Sequence, residues 1–385
     1  MPKTSSSHRR DSLSLSEIVR FRLARHHLLS PGQPDAVILA RDVCGIQAQV
    51  MSAAFLQLWT RNHAITRAEI ETALWRKRSL VKTSLMRQTL HLVPANAFPV
   101  YIAALRTSRV AGALRIMGKF KISREEAGAL TALIMEALSS GPLGRAAIAA
   151  AVRPKVSKRV RAWMEKVWSI VRVPVAEGLI CYGPGEGNEV TFIRADQWLG
   201  KQQHVAEEPA RVELLRAYLR AYGPATLTDF SHWSGMPAGE LRPLRELLGN
   251  ELVEIEVEKK NCLLLREDLA ALGQEGQGPD CVRLLPYFDP YLLAHRQKDH
   301  LIEARHYKRV YRNQGWISPV VLVNGSVAGV WSYKRQGQML QVTIEPLQKL
   351  TRTVRTALAR EAGSLAGFFE STLELAIRTT ATISE

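Results

Sequence analysis

Cysteine is scarce in this chain. Cys44, Cys181, Cys262 and Cys281 are the only four among 385 residues, far apart and without a C-x-x-C spacing. That excludes a disulfide framework and a cysteine-based zinc site, and the chain reads as a reduced, cytoplasmic protein. No apolar run approaches the roughly 20 residues that span a bilayer, so a membrane is not an expected partner. Met1 to Ser14 is rich in Ser and Arg but lacks the apolar stretch of a secretory signal, and residues 1–13 read as a disordered arm. No phosphate loop and no cluster of metal ligands occurs, so neither a metal nor an organic cofactor is expected.

Acidic residues are few wherever basic ones gather. Residues 1–200 carry 29 Lys/Arg against 14 Asp/Glu, residues 201–300 carry 12 against 16, and residues 301–350 carry 7 against 2, within a net charge of +16. A charge that served only solubility would be spread more evenly. Its concentration in the first half and in one later segment suggests a surface facing a polyanion, DNA or RNA. With 46% hydrophobic and 23% charged residues, the chain has ordinary globular material for two to four compact units.

The hydrophobic pattern predicts helices from Leu15, from about Asp35 to Gln49, and from Ala53 to Arg61. Thr66-Arg67-Ala68-Glu69 is a capping box, and its helix ends at Trp75-Arg76-Lys77-Arg78. Leu80 to Val93, rich in Val, Thr and Leu, reads as strands. Helices followed by a strand pair is the order of a winged helix, and the order recurs twice. A second capping box, Ser123-Arg124-Glu125-Glu126, leads a round that passes the basic turn Ser157-Lys158-Arg159-Val160-Arg161 and ends in strands near Leu179–Tyr182 and Glu189–Ile193. A third begins near Glu208 and ends in Glu251–Val257 and Cys262–Leu265 around Glu258-Lys259-Lys260-Asn261. Its acidic surroundings mark it as structural rather than DNA-contacting.

The expected class is therefore α+β, mainly α. Its units are winged helices over 14–120, 121–205 and 206–272, a linker at 273–280, a β-rich domain over 281–346, and a C-terminal helical segment over 347–385. Asn324-Gly325 between Trp316–Val323 and Ser326–Trp331 predicts a two-residue type I′ hairpin in the β-rich domain.

Four segments, in one order, resemble the AlkZ/YcaQ-type winged-helix DNA glycosylases. They are Gly45-Ile46-Gln47-Ala48-Gln49, Thr89-Leu90-His91-Leu92-Val93-Pro94-Ala95, Leu284-Leu285-Pro286-Tyr287-Phe288-Asp289-Pro290-Tyr291, and Gly315 to Gly325 with Gly329-Val330-Trp331. The resemblance covers about residues 15–365 and implies three tandem winged helices plus a β-domain around a concave basic surface for duplex DNA. AlkZ-like members carry Gln-x-Gln and YcaQ-like members Gln-x-Asp, so this chain resembles the AlkZ-like branch. By that match Gln47 and Gln49 are the candidate catalytic residues. The branch excises bulky N7-alkylated purines, and some members unhook interstrand crosslinks, in base excision repair or in self-resistance to a genotoxin. A monofunctional, monomeric, nucleoid-associated enzyme without an obligate protein partner is implied, with alkylated duplex DNA as its substrate. The alternative is a non-catalytic winged-helix DNA-binding protein, a transcriptional regulator or a lesion-shielding protein.

A carboxamide has no useful pKa near neutrality and cannot serve as a general base. N7-alkylation removes the need for strong acid–base help, because the base is already cationic and leaves neutral. The remaining task is to place water against C1′ as oxocarbenium character develops. In a helix, residues two apart point about 200° from each other. Joint action by Gln47 and Gln49 therefore requires the stretch to leave the helix, or the two to differ in role.

Candidate DNA contacts are Arg76, Lys77, Arg78 and Arg87; Lys155, Lys158, Arg159 and Arg161; and Arg305, Lys308, Arg309 and Arg312. His91, sharing a strand face with Thr89 and Val93, is a candidate for DNA contact or active-site support. Asp289 before Pro290 has a catalytic reading and a commoner turn reading. Trp59, Trp75, Trp163 and Trp168 sit at helix-core spacing, and no aromatic base-stacking cage is nominated among them.

Overall fold

Helices lead into strand pairs three times along the chain before a separate sheet follows. The structure is a computed structural model that describes residues 14–30, 32–167, 169–185, 189–272 and 280–378. The expected arm over 1–13, Trp168, and residues 273–279 of the expected linker lie outside these.

The first round holds helices Leu15–Arg25, Ala36–Asp42, Met51–Trp59 and Arg67–Glu71, with strands β1 (Ile46–Gln47), β2 (Leu80–Ser84) and β3 (Leu90–Pro94). Ser14 with Glu17, and Thr66 with Glu69, close capping boxes that satisfy the first free N–H groups of their helices. The helix expected over 35–49 stops at Asp42. Cys44 (φ 57°) and Gly45 (φ 101°) take left-handed conformations there and turn the chain into β1. A side chain at Gly45 would also meet Met86 and Val93 at 3.2 and 3.3 Å, so glycine alone fits.

Helix Phe98–Gly118, a stretch to which the sequence reading assigns no element, links the first round to the second. The second comprises helices Arg124–Ala137, Arg145–Val152 and Lys158–Lys166, with strands β4 (Leu143–Gly144), β5 (Ile180–Tyr182) and β6 (Thr191–Arg194). These rounds share one six-stranded sheet in the order β1-β3-β2-β5-β6-β4, joined where Lys82 of β2 pairs with Tyr182 of β5. The sheet thus runs across the expected boundary at 120.

The third round carries helices Glu207–Tyr222, Leu227–Ser234 and Arg242–Leu248 and the hairpin β7 (Leu252–Val257) and β8 (Lys260–Leu265). Its turn is two residues rather than four, with Glu258 and Lys259 both at positive φ. The last sheet has five strands in the order β13-β12-β11-β10-β9: β9 (Val282–Leu285), β10 (Val320–Val323), β11 (Ser326–Gln336), β12 (Met339–Pro346) and β13 (Thr372–Ile377). Asn324 and Gly325 both have positive φ, as a type I′ turn requires. The C-terminal segment is not wholly helical. Helix Arg352–Phe368 is followed by β13, which pairs parallel to β12.

The N-terminal helix joins two cores. Ile18 and Phe21 pack with Val257 and Leu264 of the third round, while Val19 and Leu23 pack with Leu285 and Leu322 of the last sheet. Each such buried apolar side chain contributes about 1.5–3 kcal/mol.

Candidate active site and nucleic-acid interface

The Gln-x-Gln stretch is not helical: Gln47 lies in a short strand, and the chain bends at Gln49. In β1, Ile46 pairs with Leu92 and Gln47 with His91 of β3, and Ala48 N–H continues the ladder to the Leu90 carbonyl at 2.7 Å. The row Gln47–His91–Thr83 occupies one face of the sheet, and the row Ile46–Leu92–Lys82–Tyr182 the other.

Gln47 is 5% exposed. Its side-chain oxygen accepts from Arg87 Nη2 at 3.2 Å, and Arg87 Nη1 donates to the carbonyl of Trp233 in the third round. Its backbone carbonyl accepts from Gln57 Nε2 at 3.0 Å, and the same amide donates to the Tyr287 carbonyl at 3.1 Å. Behind Gln57, Arg61 meets Asp289 in a two-bond ion pair, 2.8 Å each, with both side chains 0% exposed. Asp289 also caps the turn of helix Pro290–Leu293 by accepting from Tyr291 N–H. Its catalytic reading is thereby corrected: the carboxylate anchors the last sheet to the first round.

Gln49 is exposed, and its side-chain oxygen accepts from the Leu90 N–H at 3.4 Å, extending the β1 ladder by a side chain. It lines a cleft of about 200 Å³ with Ser84, Leu90 and Tyr182, on the face opposite Gln47. Arg109, Gln88 and Arg172 complete the polar wall. Among the described residues, no Asp or Glu lines it.

Positive charge around the motif is unbalanced. Lys82, Arg87 and Arg109 are largely withdrawn from water, and among the described residues none has a carboxylate within ion-pair distance. Burial pushes Lys82 down to about 8 and Arg87 and Arg109 down to about 10, so all three remain largely cationic at neutral pH. Arg109 donates to the Ala176 carbonyl at 3.5 Å, and its Nε has no partner. Unpaired buried charge is costly, and an anion entering the cleft would offset that cost.

His91 and Arg87 are poorly placed to touch phosphate, contrary to the expectation. His91 is buried, and its Nδ1–H donates to the Thr89 carbonyl at 3.0 Å. Burial first, and then the charge of Arg87, push its pKa down to about 3, so the ring is neutral and supports Gln47 from the paired strand. Arg87 is occupied by Gln47 and Trp233.

The remaining candidates are spread over several elements. Arg76 and Lys77 are exposed; Arg78 stacks its guanidinium 4.1 Å over Trp198. Lys158 is exposed at the start of its helix, Arg159 donates to the Lys121 carbonyl, Arg161 donates to the Val156 carbonyl, and Lys155 pairs with Glu136. Arg305 pairs with Glu303. Lys308, Arg309 and Arg312 line a pocket of about 390 Å³ on the last sheet, with Arg309 paired to Glu345. Trp59 and Trp163 are buried as expected, and Trp75 is half-buried. Arg109 and Arg172 were missed, because no local motif marks them; Arg109 sits in the one long helix left unassigned.

Among the described residues, no group of three or more His, Cys, Asp or Glu is arranged to hold a metal, and no helix is long and apolar enough to cross a membrane. A cleft with amides and unpaired cations, and among the described residues no carboxylate on its wall, defines a protein built for a polyanionic partner. The family model described as "DNA glycosylase AlkZ-like" matches residues 40–368. An interstrand DNA cross-link repair glycosylase from Streptomyces sahachiroi is 31% identical over 369 residues, 92% of this chain and 96% of that protein. The solved structure of Streptomyces sahachiroi DNA glycosylase AlkZ aligns with a TM-score of 0.83 at 28% identity, covering 96% of this chain and 100% of that one. The chain belongs to the AlkZ-like DNA glycosylase family, and it is an enzyme of that class rather than a non-catalytic regulator.

Proposed function

We propose that the protein is a monofunctional glycosylase that hydrolyses the N-glycosidic bond of N7-alkylated purines in duplex DNA. The observation that carries this reading is the carboxylate-free cleft in which Gln49 sits beside Arg109 and Arg172. A wall without a carboxylic general acid suits a base that is already cationic and needs no protonation to leave. The guanidinium groups suit the phosphates flanking the lesion, not the cationic base itself. By analogy with the Streptomyces sahachiroi relative, whose name states interstrand cross-link repair, crosslinked duplexes are included among the substrates.

In the proposed step, the side-chain oxygen of Gln49 orients a water molecule toward C1′. The C1′–N9 bond breaks with its electron pair going to the departing neutral base, the water oxygen bonds to C1′, and a proton is released to solvent. Gln47 acts as a positioning residue, with its carboxamide held by Arg87 and its strand held by Gln57. The three helix–strand rounds are inferred to be winged helices presenting a concave basic surface to the duplex. Lys158, Arg159 and Arg161 support this reading: they crowd the start of a helix, where the macrodipole disfavours cations and an approaching phosphate would relieve them.

The test is single-turnover release of 7-methylguanine from an alkylated duplex by wild type, Gln47→Ala and Gln49→Ala. Release that collapses in Gln49→Ala with DNA binding retained supports the assignment. Wild type that releases no base from either a methylated or a crosslinked duplex overturns it.

A further inference from the structure

Trp316 belongs to one of the family-matching segments, yet it lies before the strand that the segment forms and projects to solvent. The residue is 44% exposed, although it begins the run leading into β10. The turn that carries it is tightly made. Tyr311 bridges to Ile317, Arg312 N–H donates to the Trp316 carbonyl at 2.8 Å, and Gln314 (φ 60°) and Gly315 (φ 76°) reverse the chain between them. Such a turn fixes the indole in place instead of leaving it on a loose loop. On its inner side the ring rests on Phe288, 5.1 Å between centroids, and edge-on to Tyr287 at 5.8 Å.

Those two aromatics lead directly to the candidate catalytic motif. The Tyr287 carbonyl accepts from Gln57, whose amide also holds the Gln47 carbonyl. Val50, next to Gln49, packs into the apolar cluster that contains Phe288 and Tyr287. Charge of the right sign is carried close by in the chain, and Arg312 is tied to Trp316 through its backbone N–H. Lys308 and Arg312 are exposed on the same segment, and among the described residues neither has a carboxylate within ion-pair distance.

We propose that Trp316 is a stacking element for the substrate duplex, contacting a base beside the lesion while Lys308 and Arg312 hold the neighbouring phosphates. An aromatic face with flanking cations is the combination that grips an unstacked base without reading its identity. Fixing the indole to Tyr287 and Phe288 would couple the grip on the duplex to the strand that carries Gln47. The inference rests on the glycosylase reading for the nature of the duplex, and Trp316 is a positioning residue rather than a catalytic one.

The experiment uses the full chain and a duplex with a single 7-methylguanine and 2-aminopurine as its 3′ neighbour. Wild type should change the 2-aminopurine emission on binding. Trp316→Ala should weaken binding about tenfold and abolish the emission change at saturating protein. Trp316→Phe should keep both. Trp316→Leu, which retains an apolar cover over Phe288 but has no π face, should behave as Trp316→Ala, so loss of folding in one variant leaves the other decisive. A full emission change in Trp316→Leu overturns the proposal and makes the indole a cover for Phe288. Both readouts are independent of base release. A wild type that shows the emission change but releases no 7-methylguanine would sink the proposed chemistry and leave the stacking contact standing.

Discussion

The third round and the cleft on the six-stranded sheet treat positive charge in opposite ways. On the helices of the third round, arginines are matched by carboxylates: Arg216 with Glu213 and Glu251, Arg220 with Glu267, Arg245 with Glu254, and Arg211 with Glu207 and Glu240. In the cleft on the sheet, Arg109 and Arg172 have no such partner among the described residues, and Gln49 is exposed beside them. Gln47, two residues earlier and inside β1, lies on the sheet's other face and is held by Arg87 against Trp233. The difference teaches that a motif met as a unit in sequence divides, in the fold, into an exposed amide and an anchored one. It also separates charge that holds the protein together from charge kept for a partner.

The largest effect is expected from the anchor that ties the last sheet to the first round behind Gln47. Asp289→Ala leaves Arg61 buried without its counter-ion and should cost about 3–5 kcal/mol in denaturant unfolding. The base-release rate of the fraction still folded should change far less. On the cleft face, Gln49→Ala should lower the single-turnover rate about 100-fold with duplex affinity kept, the scale of removing one preorganised polar group. On the anchored face, Arg87→Met should release the Gln47 carboxamide, lowering the rate about tenfold and stability by about 1–3 kcal/mol together. Equal effects of the last two variants on rate, without loss of stability in the second, would erase the distinction between faces.

Smaller effects sharpen the charge comparison. Arg172→Ala should weaken duplex binding a fewfold and reduce the slope of log K against log salt by about 0.9, one phosphate contact. Arg220→Ala, from the paired set, should leave the slope unchanged. The smallest effect is that of pH on the rate. His91 is held neutral down to about 3 and two amides do not titrate, so the rate on 7-methylguanine should vary less than about twofold between pH 6 and 8. Stability behaves differently. His91 and His300 are pushed from 6.5 down to about 3, and His63 down to about 4, so the unfolded chain takes up protons first as pH falls. Their contribution is therefore whole above pH 6.5 and is lost progressively as pH falls from there toward 3, and the melting temperature should fall over that window.

Much of the fold was legible because its signals are local. Capping boxes at Thr66 and Ser123, the Asn324-Gly325 turn and the strand pairs after each helical run are written within a few residues. Three features were not read. Helix Phe98–Gly118 gives no clean stripe because it is packed on two sides, with Tyr101 and Leu105 in one core and Ala113 and Met117 in another. Strand β13 does alternate, through Leu373, Leu375 and Ile377, but it is an edge strand whose partner lies across a helix. β1 is two residues long and exists because β3 is there to pair with it, and the helix stop at Gly45 was read through as helix as far as Gln49. The candidate pair Gln47 and Gln49 was legible only through resemblance. That His91 and Arg87 would turn inward was not, because the buried face of β3 is set by the third round, more than a hundred residues away in sequence.

The most direct test of unequal glutamines is the pH profile of Gln49→Asp in single-turnover release of 7-methylguanine. If position 49 touches the hydrolytic water, a carboxylate there can serve the same task and makes the rate titrate. The variant should stay active and gain an ascending limb with an apparent pKa in the carboxylate range, where wild type is flat. A flat profile at the wild-type rate would show that position 49 does not meet the water and would contradict the account.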